Sequence, residues 1–332
     1  MTLVHDLADV SPGLRPAYWQ DAICKSFMSL TCRPIGATPI SGQLSLSAFG
    51  NVRAARLRCS PHEFRRTREQ LDPNVPGSIL LDIQVKGANR LRQGDRALST
   101  GRNRGHLYAS WESFDNEIVG SGQDAETLVL MVPAEAILRR FPHNAIFRTS
   151  PLSFAGALGF ALRNLLECAF DDPSAEESED DLANLYIEAL IWFLSAAHQT
   201  AFMPSRSTAY RLILRWMEQN LATPLSPSAV AHQFGMSPRT LHRCFAEAGT
   251  SFERALLQLR AVRLRNLLSS KDDSRSITSL AHDVGFFDSA HATRTFKTQF
   301  GLLPSQYRES YRNLQAIDAP AGAESEKRPE GG

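Results

Sequence analysis

Arg239, His242 and Arg243 fall at i, i+3 and i+4 in the run RTLHRCF, with Leu241 and Phe245 between and beyond them. On a helix this spacing sets a basic stripe opposite an apolar one. A second run, SAHATRTFK, offers Ser289, Ala290, Thr293, Arg294 and Lys297, with Phe296 and Phe300 at i and i+4 for a core. Arg243 stands two residues before Phe245, and Arg294 two before Phe296, so each arginine lies away from its core aromatic. The planar guanidinium matches guanine O6 and N7 bidentately, so the chemistry these stretches could do is the reading of base edges. Any one of these arginines would serve equally well as a phosphate contact or a solvated side chain.

Other chemistry lacks its residues. There is no G-x-S-x-G, G-x-G-x-x-G or G-x-x-x-x-G-K pattern. A metal-binding barrel needs several histidines on neighbouring strands, yet the strand region holds only the unpaired His62 and His106, with His143 beyond it. Cys24, Cys32, Cys59, Cys168 and Cys244 are odd in number and too scattered for a metal cluster or a disulfide framework, which points to a reducing cytoplasm. No catalytic residue, metal or cofactor is expected.

The elements that must position the basic stripes repeat. Val230-Ala231-His232-Gln233-Phe234-Gly235-Met236 aligns with Leu280-Ala281-His282-Asp283-Val284-Gly285-Phe286 at a period of 50 residues. In each copy a helix runs into a glycine and a new helix follows. Ser226-Pro227 and Ser276 suit the starts of the first helices, and Ser237-Pro238 and Asp288 the starts of the second. Ala231 and Ala281 let helices cross closely, and Gly235 and Gly285 suit a left-handed turn. His232 and His282 are expected on the solvated or DNA-near face. This is the grammar of a helix-turn-helix, whose second helix enters the major groove.

The segment from Gly285 to Arg308, with GF followed by H-x-x-R-x-F-K-x-x-F-G-x-x-P-x-x-Y-R, resembles the signature of AraC/XylS-type transcription regulators. FGMSPRTLHRCFAEAGTSF and LRAVRLRNLL are similar to the same family, so the resemblance covers about Ser205 to Arg312. It implies seven helices, the central one, roughly Phe252–Leu268, tying two helix-turn-helix units together. Two positions depart from the pattern. Ala292 replaces a large apolar residue, leaving a gap for Phe286 or Phe287 to fill. Leu303 replaces the Ser or Thr that caps the last helix, and losing a cap costs about 1 kcal/mol.

Upstream, SILLDIQVKG places Ile79, Leu81, Ile83 and Val85 on one face of a strand, with Leu80 on the other. QLSLSAF, RALST, HLYASW and TLVLMV are further strands, separated by Gly- and Asn-rich turns. Pro133 suits the first turn of a short helix that Pro142 would end. Two apolar helices are expected at 153–170 and 182–199, joined by an acidic loop at 171–181, as a cover or a dimer interface. A strand-rich region followed by helices is similar to the cupin-like effector domain of one AraC subgroup.

The expected fold is therefore α+β in two domains. Residues 1–202 form a cupin-like β-barrel with flanking helices, for effector binding and dimerisation. Residues 203–208 are a linker, 209–312 an all-α DNA-binding domain with two helix-turn-helix units, and 313–332 a disordered tail. Charge follows this division: residues 205–312 hold 15 Lys+Arg against 8 Asp+Glu, whereas 1–204 hold 19 against 23. No apolar run is long enough for a membrane helix, and no secretory signal begins the chain.

The expected function is a sequence-specific regulator, an activator, that binds double-stranded promoter DNA as a homodimer, works with RNA polymerase and answers to a small-molecule effector. The resemblance implies an aromatic or carboxylated effector, for which Arg53, Arg56, Tyr108 and Trp111 would supply cations and rings. The alternative is a constitutive regulator whose N-terminal domain only dimerises.

Overall fold

The computed structural model describes residues 2–36, 39–120, 125–141, 146–147, 151–170, 178–199, 204–270 and 273–317. Pro142, most of the acidic loop and everything from Asp318 onward lie outside the described residues. Contacts divide the chain into two compact units, one of 1–216 with 228–248, the other of 217–227 with 249–332.

The first unit begins with β1 (Thr2–Asp6), α1 (Arg15–Ser26), β2 (Thr31–Pro34), β3 (Gly42–Phe49), β4 (Val52–Cys59) and β5 (His62–Arg66). It continues through β6 (Ser78–Lys86), β7 (Ala88–Gln93), β8 (Arg96–Thr100), β9 (Arg104–Ala109), β10 (Phe114–Val119) and β11 (Ala125–Pro133). After α2 (Ala134–Leu138) and β12 (Leu152–Ser153) come α3 (Ala157–Cys168) and α4 (Glu179–Ala197). The strands form two antiparallel sheets, in the orders β1-β3-β4-β11-β6-β9-β12 and β2-β5-β10-β7-β8. The barrel of the cupin-like expectation is thus built as two sheets over one core rather than as a closed ring. That core takes Leu44, Leu57, Leu80 and Val129 from the larger sheet and Phe64, Leu91 and Phe114 from the smaller.

β6 lies inside the larger sheet, between β11 and β9, and is buried on both faces. Ile79, Leu81 and Ile83 point to the outer face, where the helices pack. Leu80 and Asp82 point between the sheets. The apolar face read from the sequence therefore faces the helices. Val85, at its far end, is only half-buried.

From Ala189 to Ser195 every residue of α4 is buried, which requires cover on every side. Tyr186 stacks on Phe49 at 5.1 Å and Phe193 on Phe154 at 4.6 Å, fixing one side to the sheet region. Trp192 covers another side by meeting Phe234 at 5.7 Å. Ser178 caps the helix at the amide of Asp181, and Glu179, Asp180 and Asp181 suit the positive end of its dipole. Among the described residues, no helix is long and apolar enough to cross a membrane.

The remaining helices are α5 (Arg206–Gln219), α6 (Pro227–Gln233), α7 (Pro238–Glu247), α8 (Phe252–Leu268), α9 (Ile277–Asp283), α10 (Ser289–Phe300) and α11 (Pro304–Ile317). They are the seven expected from the resemblance, and α8 has the bounds expected of the central helix. α11 runs on past Arg312, where the sequence reading placed the start of a tail. The described end of the expected linker is held in place. Glu188 accepts hydrogen bonds from Ser205 N at 3.0 Å, Ser205 Oγ at 2.7 Å and Thr208 Oγ1 at 2.6 Å.

Candidate nucleic-acid interface and interior cavity

The two turns share one hydrogen-bond pattern. Gly235 N donates to His232 O at 3.1 Å and Met236 N to Ala231 O at 3.0 Å; Gly285 N donates to His282 O and Phe286 N to Ala281 O, both at 2.9 Å. This is the Schellman closure of a helix, and it needs the left-handed backbone seen at Gly235 (φ +63°) and Gly285 (φ +90°). The following helices start on side-chain caps. Ser237 Oγ accepts from Thr240 N at 3.1 Å, and Asp288 accepts from Ala290 N at 2.9 Å and His291 N at 3.2 Å. The Ala290 amide holds the Asp288 carboxyl below the usual carboxylate range.

On α7, Leu241, Cys244 and Phe245 are buried, while Arg239, His242 and Arg243 are exposed together on the opposite side. On α10, Ala292 and Phe296 are buried, and Ser289, Ala290, Arg294 and Lys297 are exposed. Thr293 is half-buried and donates to Ser289 O of its own helix at 2.8 Å. Among the described residues, the side chains of Arg239, His242, Arg243, Arg294 and Lys297 have no hydrogen-bond or ion-pair partner. Arg275 differs: Asp273 holds it at 2.5 Å and Asp283 pairs with it too. Arg254, which the sequence reading passed over, is exposed on α8 and lines a groove with Arg294, Thr295 and Thr298. His232 and His282 are exposed.

The gap left by Ala292 is filled by Phe286, which is buried in one cluster with Phe296, whereas Phe287 is 79% exposed. At Leu303 the missing cap is replaced from the other side: Gln306 Oε1 accepts from Leu303 N at 3.0 Å, the reciprocal half of a capping box.

A cavity lies between the sheets of the first unit. Its volume is about 40 Å³, and it opens toward the surface. Its walls are apolar and aromatic, with Phe27, Met28, Phe64 and Phe114 among them. Its polar lining is Asp82, Tyr108, Asn116 and Thr127. Asp82 is buried and receives Asn116 Nδ2 at 2.8 Å, Asn89 Nδ2 at 3.2 Å and Tyr108 Oη at 3.2 Å. Burial pushes its carboxyl up to about 6, against the pull of those hydrogen bonds. His106 Nε2 stands 3.8 Å from Asp82, but burial lowers the imidazole to about 3, so the contact is not an ion pair at neutral pH.

The four expected effector residues are not brought together. Tyr108 lines the cavity. Arg53 donates to Ser26 O at 2.8 Å. Arg56 lies on the helix-facing side of β4, donating to Glu167 O at 3.2 Å and standing over Phe170 at 4.8 Å. Trp111 lines a separate surface groove and meets Phe147 edge-on at 6.3 Å. Asp82 and Asn116 were missed. Asp82 lies on the β6 parity opposite the apolar face read from the sequence, so residue order alone did not mark it as buried.

Residues 19–194 match the family described as an AraC-binding-like domain, and residues 230–310 match a helix-turn-helix domain. The transcriptional activator RhaS of Escherichia fergusonii is 38% identical over 98 residues, covering 29% of this chain and 34% of that protein. RhaS of an Escherichia coli O139:H28 strain is 32% identical over 141 residues, covering 40% and 50%. The chain thus spans half or less of the length of these curated relatives. Among solved structures, the AraC-like transcriptional activator CuxR covers 86% of this chain and all of its own length, at 14% identity and a TM-score of 0.48. With an AraC-binding-like domain over more than half its length and a helix-turn-helix domain after it, the chain belongs to the AraC/XylS family of DNA-binding transcription regulators, which are not enzymes.

Proposed function

We propose that this chain is a transcription activator that reads promoter DNA through α7 and α10 and answers to a small molecule held in the cavity between its sheets. The observation that carries the DNA half is the pair of exposed, unpartnered basic faces, Arg239 with His242 and Arg243 on one helix, Arg294 and Lys297 on the other, each opposite a buried apolar face. Ser289 and Ala290, at the exposed start of α10, complete that face. Activation, rather than repression, is supported by the named activators among the relatives, and implies contact with RNA polymerase in the cytoplasm.

The constitutive alternative loses ground to the cavity, since a domain that only dimerised would need no buried carboxylate beside an empty space. Homodimerisation was expected from the apolar helices at 153–170 and 182–199. The apolar side chains of α3 and α4 that suggested a dimer face are buried within one chain.

The test is a binding-site selection at fixed salt on wild type, Arg243→Ala and Arg294→Ala. Each loss should cost about 1–3 kcal/mol and relax preference at its own part of the site. Uniform weakening on all sequences would reduce both arginines to phosphate contacts.

A further inference from the structure

The cavity carries one charge, and it is negative. Among the described residues no Lys, Arg or His lines it. Its acceptors are also in surplus. Asp82 Oδ1 takes one donor, Tyr108, which leaves a lone pair free. Asn116 is 3% exposed, spends Nδ2 on Asp82, and its Oδ1 has no hydrogen-bond partner. The hydroxyl donors are spent: Tyr108 on Asp82, and Thr127 on Gln84 at 3.0 Å. A buried carbonyl left without a donor costs free energy that a ligand donor would recover. The aromatic rings of Phe64, Tyr108 and Phe114 add faces that attract a cation.

We infer that the cavity recognises a small primary amine in its ammonium form, with Asp82 and Asn116 Oδ1 accepting from the nitrogen and the apolar walls taking a body no larger than one ring or a short alkyl chain. This rests on the reading of the cavity as the effector site and names its ligand class. A carboxylate would bring a second negative charge against Asp82 with no cation to meet it. Phe27 and Met28 are half-buried at the wall, on the segment between α1 and β2, so the ligand would enter past the side chains best able to swing aside.

The test uses the full chain and two matched series: benzylamine, benzyl alcohol and benzoate; butylamine, butanol and butyrate. Calorimetric titration should show an amine binding about tenfold or more tighter than its alcohol, with the carboxylate weakest. Asp82→Asn should abolish the amine preference. Tyr108→Phe, which keeps the charge, should retain it, so the inference does not hang on one variant folding. Preference for an alcohol or carboxylate, abolished by the cavity-filling Val129→Trp, would overturn the cationic ligand and leave the cavity as a binding site. No binding by any of the six would overturn both.

Discussion

The two helix-turn-helix units share their turn, their caps and their basic face, yet they are anchored differently. The first rests on aromatic contacts from outside the repeat: Phe234 meets Trp216 at 5.8 Å and Trp192 of α4 at 5.7 Å, and Phe245 meets Tyr210 at 5.1 Å. The second builds its core from its own helices and from α8 and α11, with Leu264, Leu268, Leu280, Phe286 and Phe296 buried together and Tyr307 packed beside them. The same motif is thus supported once by a helix of the N-terminal domain and once by its own neighbours.

The sharpest way to break this comparison is at the two glycines. A Cβ at Gly285 would fall 2.1 Å from Leu221 O and 2.8 Å from the Arg260 guanidinium, on a backbone already at positive φ. Backbone strain and overpacking together should make Gly285→Ala cost about 3 kcal/mol or more. A Cβ at Gly235 meets nothing within 4 Å. Gly235→Ala should cost only the left-handed strain, about 1–2 kcal/mol. Chemical denaturation of both variants checks the difference, and equal costs would show that the turns are equivalent after all.

Trp192 tests the external anchor. Its truncation to Ala should destabilise the chain by about 3–5 kcal/mol, as for a buried aromatic. It should also weaken the half of the DNA site read by α7 before the half read by α10. Footprinting of the variant would refute the asymmetry if both halves faded together.

The smallest expected effect is at Phe287. This ring is exposed beside the start of α10, while Phe286 does the packing. Phe287→Ser should leave the melting temperature unchanged. It should weaken DNA binding by about 1 kcal/mol if the ring meets a thymine methyl group. Unchanged affinity would remove Phe287 from the interface.

The repeat was legible because its constraints are local. Left-handed glycines, caps three residues from the amides they serve, and apolar residues at i and i+4 are all decided within a few turns of chain, so helix positions and the exposed basic faces follow from residue order. The strands were less legible. β4, with Arg53, Arg56 and Arg58 among its apolar residues, carries no clean alternation, because one of its faces meets the core and the other meets helices. Only the tertiary structure decided which face of β6 looks into the cavity, since a strand buried on both sides offers two apolar faces and no local rule to choose between them. The same holds for the cavity's charge. Asp82 comes from β6, Asn89 from β7, Tyr108 from β9 and Asn116 from β10, strands drawn from both sheets. Their meeting is a product of sheet order and register, which long-range pairing sets and residue spacing along the chain does not.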